Sequence, residues 1–275
     1  MPPLRDRRSD EAWLLGGVPS QRVLGVSALL FAASAAVTIV WCASMSAMEG
    51  MPMPGGWTMS MAWIRMPGQT WSGAAASFLG MWDVMMVAMM LPSLVPMLGR
   101  YREGVGKTDE TRLDRLTALV GAGYFVVWTL LGIAAFIAGV ALATIEMHQP
   151  ALARTVPVAI GGVIVVAGAF QLTPWKARHL ACCREIPGRG HTLPADAGTA
   201  WRHGLRLGLR CSRCCAGPMA ILLVMGVMEL RAMAVVAAAI TLERLAPAGE
   251  RIARAIGLVV IAAGLLLLAR AAGLG

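Results

Sequence analysis

Charge is what this sequence has least of. Only 14% of its 275 residues are Asp, Glu, Lys or Arg, while 57% are hydrophobic and the mean hydropathy is +0.67. A soluble domain carries about 25% charged residues, so the chain reads as a polytopic membrane protein. A basic domain is missing too. The 24 Lys and Arg exceed the 15 Asp and Glu, but they lie in short segments between apolar runs. That is a topology pattern and argues against nucleic-acid binding. No G-x-x-x-x-G-K-[ST] stretch occurs, which argues against nucleotide-driven pumping by this chain alone. The six cysteines are unevenly spread: Cys42 stands alone, and the other five fall between residues 182 and 215. On a cytoplasmic face such a cluster favours metal or redox work over disulfides.

The apolar runs predict an all-α fold, a polytopic membrane helix bundle of about seven transmembrane helices, or six if the first is a cleaved signal. Residues 1–22 are expected to form a cytoplasmic N-terminal tail, 23–42 the first transmembrane helix, 43–77 a Met-rich extracytoplasmic loop and 78–275 a metal-binding transmembrane bundle. Within the bundle, spans are expected near 78–98, 116–143 and 156–172, then one ending near 228, a short one at 232–245 and a last at 256–269. Alternation puts the Arg-poor segments 43–77 and 144–155 outside and the Arg-rich segments inside. The expected location is a bacterial inner membrane. Arg100, Arg102, Lys107, Arg112 and Arg115 read as a solvated basic loop, and 173–210 as the most basic segment.

The run Met81 to Pro92 places a carboxylate and five methionines in one membrane helix. At 100° per residue, Trp82, Asp83, Met86, Met89 and Met90 share a stripe of roughly 120°, with Met85 just outside it. An intramembrane Asp costs about 2.5–3.5 kcal/mol and normally marks function. Thioether sulfur prefers Cu(I), so the stripe suggests a metal path. The competing explanation is a Met-filled helix seam in which Asp83 bonds a neighbour. The loop 43–77 adds seven methionines, suited either to capturing soft ions from a flexible segment or to an interfacial stretch with Trp57, Trp63 and Trp71 at the headgroups.

Two thiol-bearing segments follow. His179, Cys182 and Cys183 lie after the fourth span; Cys211, Cys214 and Cys215 enter the fifth at i, i+3 and i+4. C-x-x-C spacing suits a zinc site, a Cu(I) site or a redox dithiol, and Arg210 and Arg213 would favour thiolates. Inert buried cysteine is the alternative. Extending the helix from Cys211 carries the stripe through Pro218, Leu222 and Met225 to Glu229, which could instead pair with Arg231. Pro218 removes a backbone donor and frees a carbonyl. Glu243 and Arg244 are expected to form a local ion pair.

The segments MWDVMMVAMMLPSLVP, AFQLTPWKARHLACCR, WRHGLRLGLRCSRCCAGPMAILLVMGVMEL and ITLERLAP resemble a family of predicted metal-binding integral membrane proteins, a domain-of-unknown-function family some of whose members are labelled copper chaperones. The likeness covers roughly residues 75–250. It implies a membrane metal-binding protein, with Asp83, Met86, Met90, Cys183, Cys211, Cys214 and Cys215 at the motif positions. The family pattern has a cysteine where this chain has His179, a departure from an all-thiolate inner site.

The expected function is therefore handling of a soft metal ion, Cu(I) ahead of zinc, by transport across the membrane or delivery at it. The bilayer, the ion and a copper chaperone or copper-enzyme assembly protein are the expected partners. Two rivals remain open: a membrane enzyme, either a thiol oxidoreductase using Cys211 and Cys214 or a metal-dependent oxidase, and an assembly scaffold using the Met stripe as its interface.

Overall fold

The computed structural model describes residues 21–47, 50–106, 108–184 and 193–273, without the side chains of residues 46 and 182–184. The expected tail lies outside them except for its last two residues. The chain runs α1 (Gln21–Ser46), a hairpin of β1 (Met51–Met53) and β2 (Trp57–Met59), a 3-10 turn (Met61–Trp63), α2 (Trp71–Val105), α3 (Glu110–His148), the short α4 (Pro150–Ala153), α5 (Val156–Gln171), α6 (Pro174–Arg184), α7 (Ala197–Met225), α8 (Leu230–Leu245) and α9 (Gly249–Ala271).

Among the described residues, α1, α2, α3, α7 and α9 are long and apolar enough to cross a membrane. A sixth span exists if α5 and the first part of α6, bent by 62° at their junction, count as one. The short span expected at 232–245, now α8, has 16 residues. At 1.5 Å per residue it reaches about 24 Å, short of a hydrocarbon core of about 30 Å.

Two expected loops are helical. α2 continues to Val105 and α3 starts at Glu110, so the basic loop between them shrinks to a turn; Lys107 lies outside the described residues. Arg102 is buried, because its guanidinium meets Asp114 at 2.5 Å and Thr117 at 3.3 Å on the first turns of α3. The basic segment 173–210 holds α6 and the first half of α7. Asp196 caps α7 by accepting from the Thr199 N–H at 2.8 Å. Ala200, Gly204, Gly208, Cys211 and Cys215 then form a buried stripe of small residues, while Arg202, Arg206, Arg210 and Arg213 are exposed. A search for continuous apolar runs passes over such a helix, because its apolar residues recur at helical spacing.

Glycine brings α7 against α3. A Cβ at Gly204 would collide with the Val120 carbonyl, and one at Gly208 would lie 2.8 Å from the Tyr124 carbonyl oxygen. Backbones this close are the usual solution for helix pairs in lipid.

The Met-rich segment takes up regular structure from residue 51. β1 and β2 pair antiparallel with Met51 opposite Met59. The Trp57 indole donates to the Ala153 carbonyl at 2.9 Å, and Trp63 packs its ring 5.2 Å from Phe78. These two tryptophans are thus tied to the bundle, and Met59 is buried. Met48 lies outside the described residues.

Candidate functional site

The methionine helix buries Met81, Trp82, Met85, Met86, Met89 and Met90. The buried face therefore includes Met85, and Asp83 stands at its edge, half-buried, accepting from Thr129 Oγ1 at 3.0 Å. The stripe's slant follows from pairs at i and i+4 along a 3.6-residue turn. The Trp82 indole donates to the Trp128 carbonyl at 2.9 Å, and its ring occupies the space beside Gly132. These contacts fix the rotation of α2 against α3.

Met90 meets the cysteine helix. Its Sδ lies 4.0 Å from Cys211 Sγ, which is 3.9 Å from Cys215 Sγ. The Tyr124 hydroxyl donates to Cys211 Sγ at 2.9 Å across the glycine-lined α3–α7 contact. Met86, Met90, Cys211, Cys214 and Cys215 are each no more than 1% exposed. The three sulfurs come from helices far apart in sequence and converge within the bundle.

A polar layer lies beside them. Pro218 has no N–H to give the carbonyl four residues earlier, that of Cys214, and Lys176 Nζ donates to that oxygen at 2.6 Å. Lys176 also pairs with Glu243 at 2.7 Å, both nearly inaccessible, and Gln171 Nε2 donates to the other Glu243 oxygen at 2.6 Å. Glu243 thus forms its ion pair with Lys176 on α6, where a local pair with Arg244 was expected. Arg244 donates to Ser93 Oγ at 2.9 Å, and Ser93 donates to the Met90 carbonyl at 2.9 Å. The buried cations of this layer are Lys176 and Arg244, whereas Arg210 and Arg213 are exposed.

Other expected site residues lie elsewhere. Glu229 does not continue the Cys211 stripe, because α7 stops at Met225 and Gly226 takes φ 115°. Its carboxylate caps α8, accepting from the Arg231 and Ala232 N–H groups. His179 stacks on Trp175 at 3.7 Å between centroids, its Nδ1 2.9 Å from the Trp175 carbonyl oxygen. The side chains of Cys182 and Cys183 lie outside the described residues. Among the described residues, no three His, Cys, Asp or Glu side chains are grouped so as to hold a metal. The sulfur cluster is completed by a methionine.

Sequence reading missed Gln171, Lys176, Ser93 and Tyr124 as parts of one site. A signal was present: Lys176 and the Glu243–Arg244 pair interrupt apolar helices, where charge is costly and normally paired.

No curated protein and no solved structure matches the chain. A family model, PpoB2, described as copper chaperone, matches residues 79–267, a stretch that contains α3 to α8, most of α2 and α9, and every residue of the sulfur and charge layers. With more than half of its length matched, the chain belongs to this copper chaperone family.

Proposed function

We propose that the chain binds Cu(I) at Met90, Cys211 and Cys215 and hands it across or along the membrane. The observation that carries this is the meeting of Met90 Sδ and Cys211 Sγ at 4.0 Å, from residues 121 positions apart, with Cys215 at 3.9 Å. Thiolate and thioether are soft donors that select Cu(I). Metal–sulfur bonds of about 2.3 Å at 120° separate sulfurs by about 4.0 Å, close to the 4.0 and 3.9 Å separations of Met90 and Cys215 from Cys211.

On this reading Met86, Met89 and Asp83 form the approach along α2, and Met51, Met53 and Met61 near the hairpin collect the ion. Cys214, with Cys182, Cys183 and His179, serves release at the other end. The Arg-rich ends of α2, α3, α6 and α7 face the cytoplasm and the hairpin the outside of a bacterial inner membrane, with the N-terminus inside. A copper-enzyme assembly protein or a soluble chaperone exchanges the ion. The near-complete burial of the thiols counts against a dithiol oxidoreductase, which needs a partner sulfur to attack them.

Metal content by mass spectrometry tests the proposal, on protein loaded in cells and purified reduced in detergent. Wild type is expected to retain copper with little zinc. Cys211→Ser/Cys215→Ser and Met86→Leu/Met90→Leu are expected to lose it. Copper absent from wild type, or indifferent to both pairs, overturns the proposal.

A further inference from the structure

The junction of α5 and α6 holds a polar cavity outside the sulfur cluster. The two helices meet at a bend of 62°, and the first turns of α9 complete the walls. The space measures about 280 Å³, and its lining includes Gln171, Leu172, Lys176, Arg178, Glu250 and Arg254. A drug-sized ligand takes roughly 300–1,000 Å³, so this cavity suits a small polar group.

One lining group is an unmet acceptor. Gln171 is 3% exposed, and its amide nitrogen donates to Glu243 at 2.6 Å. A carboxylate only accepts, so that contact fixes which end of the amide faces it. The amide oxygen is then buried without a hydrogen-bond partner among the described residues. A buried oxygen of this kind calls for a hydroxyl or N–H donor. The charge of the lining points the same way. Glu243 matches Lys176 at 2.7 Å, which leaves the exposed Arg178 and Arg254 against one exposed carboxylate, Glu250. The 11-residue α6 also begins here, and the start of a helix is positive. One negative charge therefore suits the cavity. Leu172, 39% exposed, gives it an apolar edge.

We propose that this cavity binds an anionic phosphate diester that carries a hydroxyl, Arg178 and Arg254 taking the phosphate and the Gln171 amide oxygen accepting from the hydroxyl. A phosphoglycerol headgroup supplies both features with a single negative charge. Such an ester occurs on a bilayer lipid and also free in solution. Basic pockets between membrane helices on the cytoplasmic side attract anionic headgroups, and the inference rests on the placement of the Arg-rich helix ends proposed above.

Native mass spectrometry of the full-length protein in detergent tests it, with three lipids added in turn. Phosphatidylglycerol has both features, phosphatidylmethanol keeps the charge without the hydroxyl, and phosphatidylethanolamine has donors without net charge. Wild type is expected to bind phosphatidylglycerol about tenfold or more tightly than either analogue. Arg178→Gln/Arg254→Gln is expected to lose that preference. Arg202→Gln/Arg206→Gln removes the same charge from exposed positions of α7 and is expected to keep it. Equal affinity of wild type for the three lipids, or equal loss in both double variants, overturns the inference. Displacement of the lipid by equimolar glycerophosphoglycerol, the same headgroup without acyl chains, supports the site with a free ester as its ligand; persistence supports it with a lipid. Copper content of the same samples is expected to be equal in wild type and Arg178→Gln/Arg254→Gln, so failure of the copper reading leaves this inference standing. Recovery of the chain without detergent overturns the membrane placement, and the lipid as ligand with it.

Discussion

Lys176 Nζ lies 2.6 Å from the Cys214 carbonyl oxygen, the acceptor that Pro218 leaves without a helical N–H. A proline within a long apolar helix thus creates a backbone acceptor at the cysteine turn, and a buried lysine from another helix takes it.

Pro218→Ala returns an N–H to position 218, which competes with Lys176 for the same oxygen. The helix gains a backbone bond, and Lys176 loses a charge-assisted one worth about 1.5–3 kcal/mol. The expected result is an unfolding temperature equal to or above wild type together with about tenfold weaker Cu(I) binding. Competition titration beside a thermal melt checks both. Weaker binding with a lower melting temperature would point instead to general misfolding.

Lys176→Met leaves Glu243 buried without its lysine partner, its carboxylate still accepting from the Gln171 amide. Removing one member of a buried pair costs about 3–5 kcal/mol, whereas replacing both costs much less. Lys176→Met is expected to unfold well below wild type, and Lys176→Met/Glu243→Met to recover most of the difference. A double variant no better than the single one would mean that the pair does not act as a unit.

Gly208→Val drives a branched side chain into the Tyr124 carbonyl and the Val127 side chain. The α3–α7 contact must open, and the Tyr124–Cys211 hydrogen bond opens with it. Loss of monodisperse protein on size exclusion is expected. Gly162→Ala, where nothing lies within 4 Å of an added Cβ, is the matched control and should behave as wild type. Similar yields for both would contradict the packing described here.

Thiol accessibility reports the burial of the cluster. In a Cys182→Ser/Cys183→Ser background the remaining cysteines are no more than 2% exposed. A membrane-impermeant maleimide should label the folded protein at least about tenfold more slowly than the denatured one. Equal rates would place the thiols at the surface.

Much of this was legible from composition and spacing. The low charge and long apolar runs specify helices long and apolar enough to cross a membrane, and Cys211, Cys214 and Cys215 at i, i+3 and i+4 specify a helix face that gathers thiols. Pro218 identifies in advance the carbonyl that needs another donor. Each is a property of local covalent geometry, so no knowledge of neighbouring helices is required.

What only the tertiary structure decided is which helices meet. Met90 and Met86 look alike in sequence, yet Met90 is the one that lies 4.0 Å from Cys211. Glu243 is expected to pair with its neighbour Arg244, but successive residues on a helix project about 100° apart. The two side chains therefore reach different partners, Lys176 and Ser93. Glu229 falls on the cysteine stripe only if the helix continues, and Gly226 ends it three residues earlier. The sequence by itself determined a helical chain, rich in soft donors, with helices long and apolar enough to cross a membrane; helix packing, held by glycine contacts and buried polar contacts between distant segments, decided which sulfurs meet.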